Sequence, residues 1–314
     1  MSAMRETMAG QPAALRDLLA DTAPVEAAAE SLAGRRLWLV GTGTSWHAAN
    51  HGAWLLREAG VEAWPLQAAD GAAYGPAPAP GDGLLLLSHT GAKRHANTVL
   101  ERARAAGVPS VRVGARDTGA DIDTVERERS SAYTASHLGT LLRLAQLART
   151  LGADLGELEA VPDAVATALD GPGPGVAPPA RLLELTGAGP NQWTAAEGAL
   201  KVREAARVAA EGLAVEQLMH GPAVALGPDD ALVCLDGGGP LAERLDEIAT
   251  LGEAAGARVH RVGARELGEP LSVFPLTVAV QRIALEAAEA LGTDPDAFGY
   301  DVPGREAAWE AVSL

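Results

Sequence analysis

Cysteine, lysine and aromatic residues are scarce in this 314-residue chain, and each scarcity excludes something. The single cysteine, Cys234, permits no intramolecular disulfide and no thiolate cluster with zinc-ligand spacing. It lies in the apolar run Ala231 to Leu235 and reads as a buried structural thiol. Phe, Trp and Tyr together make up 4%, so Leu, Val and Ala must build the core that a 47% apolar content allows. Basic residues number 25 against 41 acidic ones, and the formal charge of −16 would repel a phosphate backbone over most of the surface. General nucleic-acid binding is thereby excluded. Residues 1–10 lack the basic and apolar segments of a signal peptide, and no run reads as membrane-spanning. A cytoplasmic protein with no membrane partner is expected. Only Lys93 and Lys201 are lysine; the other 23 of the 25 basic residues are arginine. Where arginine has displaced lysine so widely, two retained ammonium groups, compact and able to titrate, single out two positions.

What is present is a repeat. Ala105 to Gly119 (AAGVPSVRVGARDTG) and Ala254 to Gly268 (AAGARVHRVGARELG) agree at nine of fifteen positions. Two weaker matches fall in the same order at nearly the same spacing. LWLVGTG ending at Gly43 pairs with LLELTGAG ending at Gly189, and LLLLSHTG ending at Gly91 pairs with ALVCLDGG ending at Gly238. A duplicated domain follows. In the first copy Arg36 to Val40, Gly83 to Ser88 and Ser110 to Val113 read as buried strands. Trp46 to Ala59 and Asn97 to Ala106 read as the helices between them, and Tyr133 to Thr150 as a further long helix. Strands alternating with such helices give parallel βαβ units and a doubly wound sheet. The proline- and glycine-rich stretch 170–179 reads as the linker between residues 1–169, which include an N-terminal helical segment, and residues 180–314, which end in a tail.

Two loops carry anion-binding chemistry. Gly41-Thr42-Gly43-Thr44-Ser45 joins a strand to a helix, so backbone N–H groups and the Thr44 and Ser45 hydroxyls converge at a helix N-terminus. Trp46 stands where a dinucleotide fingerprint would need its third glycine. Ser88-His89-Thr90-Gly91 ends the next long strand at the same sheet edge. Capping of the helices by Ser45 and Thr90 is the competing account of these hydroxyls. Glu197, Lys201 and Glu204 stand at i, i+4 and i+7 on one helix face, either as an exposed salt-bridge ladder or as an acid–base set. His220 lies in the turn-like Met219-His220-Gly221-Pro222, as a structural or a catalytic histidine. His47 and His51 share a helix face, but with no third ligand no metal is expected.

GTGTSWHA and SHTG resemble the GCGTS-type and SQSGET-type loops of the sugar isomerase (SIS) family. Glu197-Gly-Ala-Leu-Lys201-Val-Arg-Glu204 and Glu216-Gln-Leu-Met-His220-Gly-Pro222 are similar to segments in the isomerase half of glucosamine-6-phosphate synthase. The weaker matches Glu126 to Leu138 and Gly292 to Asp296 extend the resemblance over nearly the whole chain. The resemblance implies an α/β fold of two tandem SIS domains, each a doubly wound, mostly parallel sheet flanked by helices. A small anionic sugar would bind in a cleft between the halves, in a homodimer with shared active sites and no cofactor. By motif position Glu204 matches the proton-transfer glutamate and His220 the ring-opening histidine, with Lys201 and Glu197 orienting substrate or stabilising charge. Gly43, Thr44, Ser45, Ser88, His89, Thr90, Lys93 and Ser130 match substrate- or anion-binding positions.

Departures from the family pattern bear on the substrate. His89 replaces a glutamine, Ala92 a glutamate, and Lys93 stands near a phosphate-contacting threonine, which leaves room for a sulfonate in place of a phosphate. The family's carboxy-terminal lysine has no counterpart. With Cys234 internal and no glutaminase-type segment ahead of the first loop, glutamine-dependent amination is not expected. Aldose–ketose isomerisation of an anionic sugar is the leading expectation. Deamination of an amino-sugar phosphate is the alternative, and non-catalytic sugar-phosphate sensing the third; an acidic chain without a basic DNA-reading segment disfavours the last.

Overall fold

Leu37, Leu39 and Val40, and the run Leu84 to Leu87, are apolar on both faces of an extended chain, as befits strands covered on both sides. In the computed structural model, which describes residues 2–312, these runs are the two central strands of a parallel sheet. The chain begins with α1 (Ala3–Ala9), α2 (Gln11–Ala20) and α3 (Ala23–Leu32). There follow β1 (Arg36–Gly41), α4 (Thr44–Glu58), β2 (Ala63–Gln67), α5 (Ala68–Ala73), β3 (Asp82–Leu87), α6 (Arg94–Ala105), β4 (Ser110–Gly114), β5 (Ile122–Asp123) and α7 (Ala135–Thr150). After α8 (Val161–Asp170) come β6 (Leu183–Gly187), α9 (Asn191–Ala205), β7 (Ala210–Ala214), α10 (Val215–Met219), β8 (Ala231–Asp236), α11 (Ala242–Ala254), β9 (Arg258–Gly263), α12 (Gly268–Leu291) and α13 (Arg305–Glu310).

The strands form two all-parallel sheets, ordered β2-β1-β3-β4-β5 and β7-β6-β8-β9. In each, the second strand lies on one side of the first and the third on the other. The order therefore reverses between β1 and β3, and between β6 and β8, and opens a crevice at their carboxyl ends. The repeat falls on like elements: its three matches end β1 and β6, end β3 and β8, and cover β4 and β9. Gly41 and Gly187 close the two first turns in the same way. A Cβ on Gly41 would collide with the carbonyl oxygen of Ser45, and one on Gly187 with that of Asn191.

Two compact units carry the sheets. Residues 11–128 and 135–159 hold the first, and residues 2–10, 129–134 and 160–312 the second. The units interleave along the chain rather than meeting at the expected linker, because α1, residues 129–134 and α8 belong with the second sheet. In the first unit Val40, Leu84 and Leu86 pack on Ala68 and Ala72 of α5 and on Val99 and Leu100 of α6. The α7 helix is buried along most of its length, and its Arg143 guanidinium serves as a polar staple, donating to the carbonyls of Leu18 (3.0 Å) and Asp123 (2.8 Å). In the second unit Leu183, Leu185, Val233 and Leu235 face α9 and α12, while Leu232 and Cys234 face α10 and α11. Cys234 is buried and free, its thiol pushed up to about 12 by burial. One helix corrects the expectation that no run reaches membrane-spanning length. The 24-residue α12 has a mean hydropathy of 1.3 over its most apolar window, but 78% of that window is buried, so it serves as a core helix.

Glu184 is a buried acid in the middle of this apolar architecture. It sits on β6, 2% exposed, alternating onto the Leu232 and Cys234 face, and its Oε1 has no hydrogen-bond partner. Burial, with smaller contributions from the Glu211 and Asp230 charges, pushes its carboxyl up to about 8. The folded chain thus holds this proton more tightly than the unfolded chain does. Stability should fall as pH rises from the ordinary value of 4.5 towards about 8, then level off. Glu184→Gln should be nearly neutral at pH 4 and stabilising at pH 9 by a few kcal/mol, since each ten-fold gain in proton affinity on folding is worth about 1.4 kcal/mol. Urea denaturation at both pH values measures it, and an effect of equal size at both would contradict the assignment.

Candidate active site

The carboxyl edge of the first sheet presents the two hydroxyl-bearing loops side by side, after the adjacent strands β1 and β3. The tight turn at Gly41 and the positive φ of Gly43 (+56°) bring Thr44 and Ser45 to the start of α4. Gln67 steadies the neighbourhood: its Nε2 donates to Thr42 Oγ1 (3.1 Å) while its Oε1 accepts the Ala69 N–H (2.6 Å) and caps α5. Ser88 is 6% exposed, and its Oγ is buried with no hydrogen-bond partner. A buried hydroxyl left unsatisfied costs about 1–3 kcal/mol, so such groups call for an explanation. Thr90 Oγ1 accepts the Ala92 N–H (3.4 Å), and half-buried Lys93 stands at the start of α6 with no ion pair among the described residues.

His89 is turned towards the chain itself. Its Nε2 accepts the backbone N–H of Glu128 (3.1 Å), and Glu128 Oε1 accepts the Ser136 N–H (2.7 Å). Burial lowers its pKa below the ordinary histidine value, in keeping with a neutral ring that accepts at Nε2. Arg112 carried no signal in the sequence. Its guanidinium reaches from β4 to the Ser88–Gly91 loop, donating to Thr118 O, with Nη2 lying 3.4 Å from where a Cβ on Gly91 would be. The loop therefore has a guanidinium beside it as well as the Lys93 ammonium. Ser130, in the other unit, is 1% exposed, and its Oγ accepts the Ala132 N–H (3.2 Å) in a local turn.

The Glu–Lys–Glu stripe on α9 is not a solvated ladder. Glu197 and Lys201 have no exposed side-chain surface, and Glu204 keeps 16% of its own. Lys201 Nζ lies 2.5 Å from Glu204 Oε2 and 3.5 Å from Glu197 Oε1. Desolvating an ammonium costs several kcal/mol unless carboxylates surround it, and here two do. Of the three groups, only Glu204 reaches solvent. It is a carboxylate held by a buried cation and partly exposed.

His220 follows α10 and is 78% exposed, with Nε2 3.3 Å from Glu216 Oε2. Arg244 grips the same Glu216 through Nε (2.5 Å) and Nη2 (3.3 Å), which holds the Glu216 carboxyl below the usual carboxylate range. Arg244 and Glu216 thus give His220 an ionised partner; Glu216 opens the matched segment, while Arg244 does not stand out in the sequence. The topology separates His220 from Glu204 within one chain. From Asn191, at the carboxyl ends of the strands, α9 runs back to Glu204 across about 20 Å of helix. His220 instead follows the carboxyl end of β7.

Among the described residues no group of three or more His, Cys, Asp or Glu is arranged to hold a metal ion. His51 is buried, its Nδ1 3.0 Å from His47 O, and its ring meets that of His137 edge-on at 6.1 Å.

No family model matches the chain. A glutamine–fructose-6-phosphate aminotransferase (isomerizing) of Gloeobacter violaceus is 28% identical over 299 residues, covering 84% of this chain and 49% of that protein. The chain thus spans about half the length of that relative. A shorter protein of the same name from Sphingobium yanoikuyae is 31% identical over 135 residues, 38% of this chain and 86% of its own. Among solved structures, tagatose-6-phosphate ketose/aldose isomerase from Escherichia coli has a TM-score of 0.78 at 20% identity, covering 95% of each chain. Glucosamine-6-phosphate deaminase from Thermotoga maritima has a TM-score of 0.75 at 19% identity, covering 94% of this chain and 97% of its own. With its parallel sheets flanked by helices, its two loops at the switch point and its EGALKVRE helix, the chain belongs to the sugar isomerase (SIS) family and resembles the isomerase half of these aminotransferases.

Proposed function

We propose that the chain is an aldose–ketose isomerase acting on a sugar with a terminal anion, a phosphate or, given the altered loop, a sulfonate. In this reading its two sheet-bearing units are two SIS domains, and it works in the cytoplasm as a homodimer without a cofactor. The observation that carries it is the Glu204 carboxylate, pinned by a fully buried Lys201 and alone of its cluster open to solvent.

The chemistry follows from the groups. The sugar's anion takes the place opposite the partnerless Ser88 hydroxyl, with Ser45, Thr90 and Lys93 around it. Glu204 removes the proton from C2 of the open-chain aldose and returns it to C1, while the O2 hydroxyl proton passes to O1 through the enediol. The Lys201 ammonium, buried behind Glu204, offsets the negative charge of the enediolate through its field rather than by contact, and Glu197 keeps that ammonium in place. His220, held beside ionised Glu216, moves the proton between ring oxygen and anomeric hydroxyl that opens the cyclic sugar. Glu204 and His220 lie towards opposite ends of the second sheet, which is the support for the reading that one site takes its glutamate from one copy and its histidine from another. The likeness to a deaminase favours one second reading: with a 2-amino sugar, the same proton transfer would give a C2 imine, which water hydrolyses to the ketose and ammonia. Ketose formed without ammonia supports isomerisation, and ammonia released from an amino-sugar phosphate supports deamination.

Three outcomes test the proposal. Glu204→Gln keeps the shape and removes the base, so kcat should fall by about 10²–10⁴ with KM changed a few-fold at most. A variant retaining full turnover would sink the mechanism. Ser88→Ala and Lys93→Met should each raise KM about ten-fold while leaving kcat within a few-fold, since each loses a charge-assisted contact to the anion. A selective loss of kcat would show that these residues serve the reacting end instead. Finally, dissociating and remixing the inactive Glu204→Gln and His220→Ala proteins should restore about a quarter of wild-type activity, because half the dimers are mixed and each mixed dimer has one intact site. A mixture no more active than its components would exclude the shared site.

A further inference from the structure

The two sheets share a strand order, so the loops after β6 and β8 correspond to the anion loops after β1 and β3. The correspondence extends to backbone geometry: Gly189 has φ +52° where Gly43 has +56°. Their contents differ. In the first unit a buried Ser88 hydroxyl lacks a partner and Lys93 lacks an ion pair among the described residues. In the second unit the equivalent place is filled by the chain itself. Glu269, in the first turn of α12, sends its carboxylate against both loops. A Cβ on Gly189 would lie 2.7 Å from Glu269 Oε1, and one on Gly239 would overlap the same oxygen. Neither position could carry a side chain without displacing that oxygen.

The turn that carries Glu269 is fastened in place. Asn191, the first residue of α9, donates through Nδ2 to Ser272 Oγ (2.8 Å), and that hydroxyl donates to the carbonyl of Glu269 (2.7 Å). The first turn of α12 is thereby fastened to the start of α9. Arg265 donates to Asp236 Oδ2 (2.9 Å) and packs on Gly238, which neutralises the acid at the end of β8. The Glu269 carboxylate thus meets the amino ends of α9 and α11, where an anion is favoured.

We propose that Glu269 is a built-in anion: its carboxylate occupies the second loop pair in place of a bound phosphate, so each chain keeps one open anion site rather than two. The count of one rests on the anion role proposed for the Ser88 loop; the occupancy of the second loop pair does not. Calorimetric titration of the full chain with inorganic phosphate tests both, in wild type, Ser88→Ala, Glu269→Ala and the double variant. Wild type should bind one phosphate per chain, and Glu269→Ala two, the second persisting when Ser88→Ala is added. If Glu269→Ala binds no more phosphate than wild type, the proposal is overturned and Glu269 serves only the dipole of its own helix. If wild type binds none while Glu269→Ala binds one, the Ser88 loop assignment fails and this proposal stands. Should Glu269→Ala not fold, Glu269→Gln keeps the shape without the charge. Its melting temperature should then rise with phosphate more steeply than that of wild type, and an equal slope would contradict the proposal.

Discussion

A lysine ammonium with no solvent exposure, 2.5 Å from one carboxylate and 3.5 Å from another, is the constraint on which the second unit depends. Such a cation is tolerated only if both acids stay in place, so α9 must present three charged side chains inward while its remaining buried positions are mostly small. Ala195, Gly198, Ala199 and Ala205 meet that demand. A Cβ on Gly198 would meet Val280 at 2.8 Å and Leu185 at 2.9 Å, so α12 and β6 press on the helix there. Close packing fixes the helix, the helix fixes the triad, and Glu204 is the one member of the triad with exposed surface.

The duplicated architecture is used asymmetrically. Both copies place two loops at a switch point, an arrangement that suits an anion whatever its source. The first copy keeps an unsatisfied hydroxyl and positive charge there. The second has a carboxylate from its own last long helix there, and its buried Glu197–Lys201–Glu204 cluster lies elsewhere, on α9. One strand order thus carries different side chains at its loops in the two units.

Much of this was legible in the sequence, and the reasons are specific. The strands β1, β3, β4, β6, β8 and β9 all fall on the three repeat matches, and in β1, β3, β6 and β8 short, mostly apolar runs end at glycine-bearing loops. The edge strands β2 and β7 were missed because they carry Pro65 and Gly212 and each pairs with a single neighbour. Gly212 is required by packing, since a Cβ there would collide with the Ala195 carbonyl oxygen, yet in the sequence it reads as a breaker. The i, i+4, i+7 spacing gave the Glu197–Lys201–Glu204 stripe its shared face but not its burial, because a solvated ladder has the same spacing. Arg112, Arg244 and Glu269 escaped notice for one reason. Each acts across 20 residues or more, on Gly91, Glu216 and Gly239 respectively, and no local pattern encodes such a meeting.

The sugar's C2 proton, on this account, is carried by Glu204. Running turnover in deuterium oxide and following substrate and product by proton NMR tests this most directly. With the wild-type chain and the sugar phosphate it accepts, deuterium should enter at the carbon next to the carbonyl, and this wash-in should disappear in Glu204→Gln even where the sugar still binds. Wash-in at an undiminished rate in that variant would place the proton on another group and contradict the account.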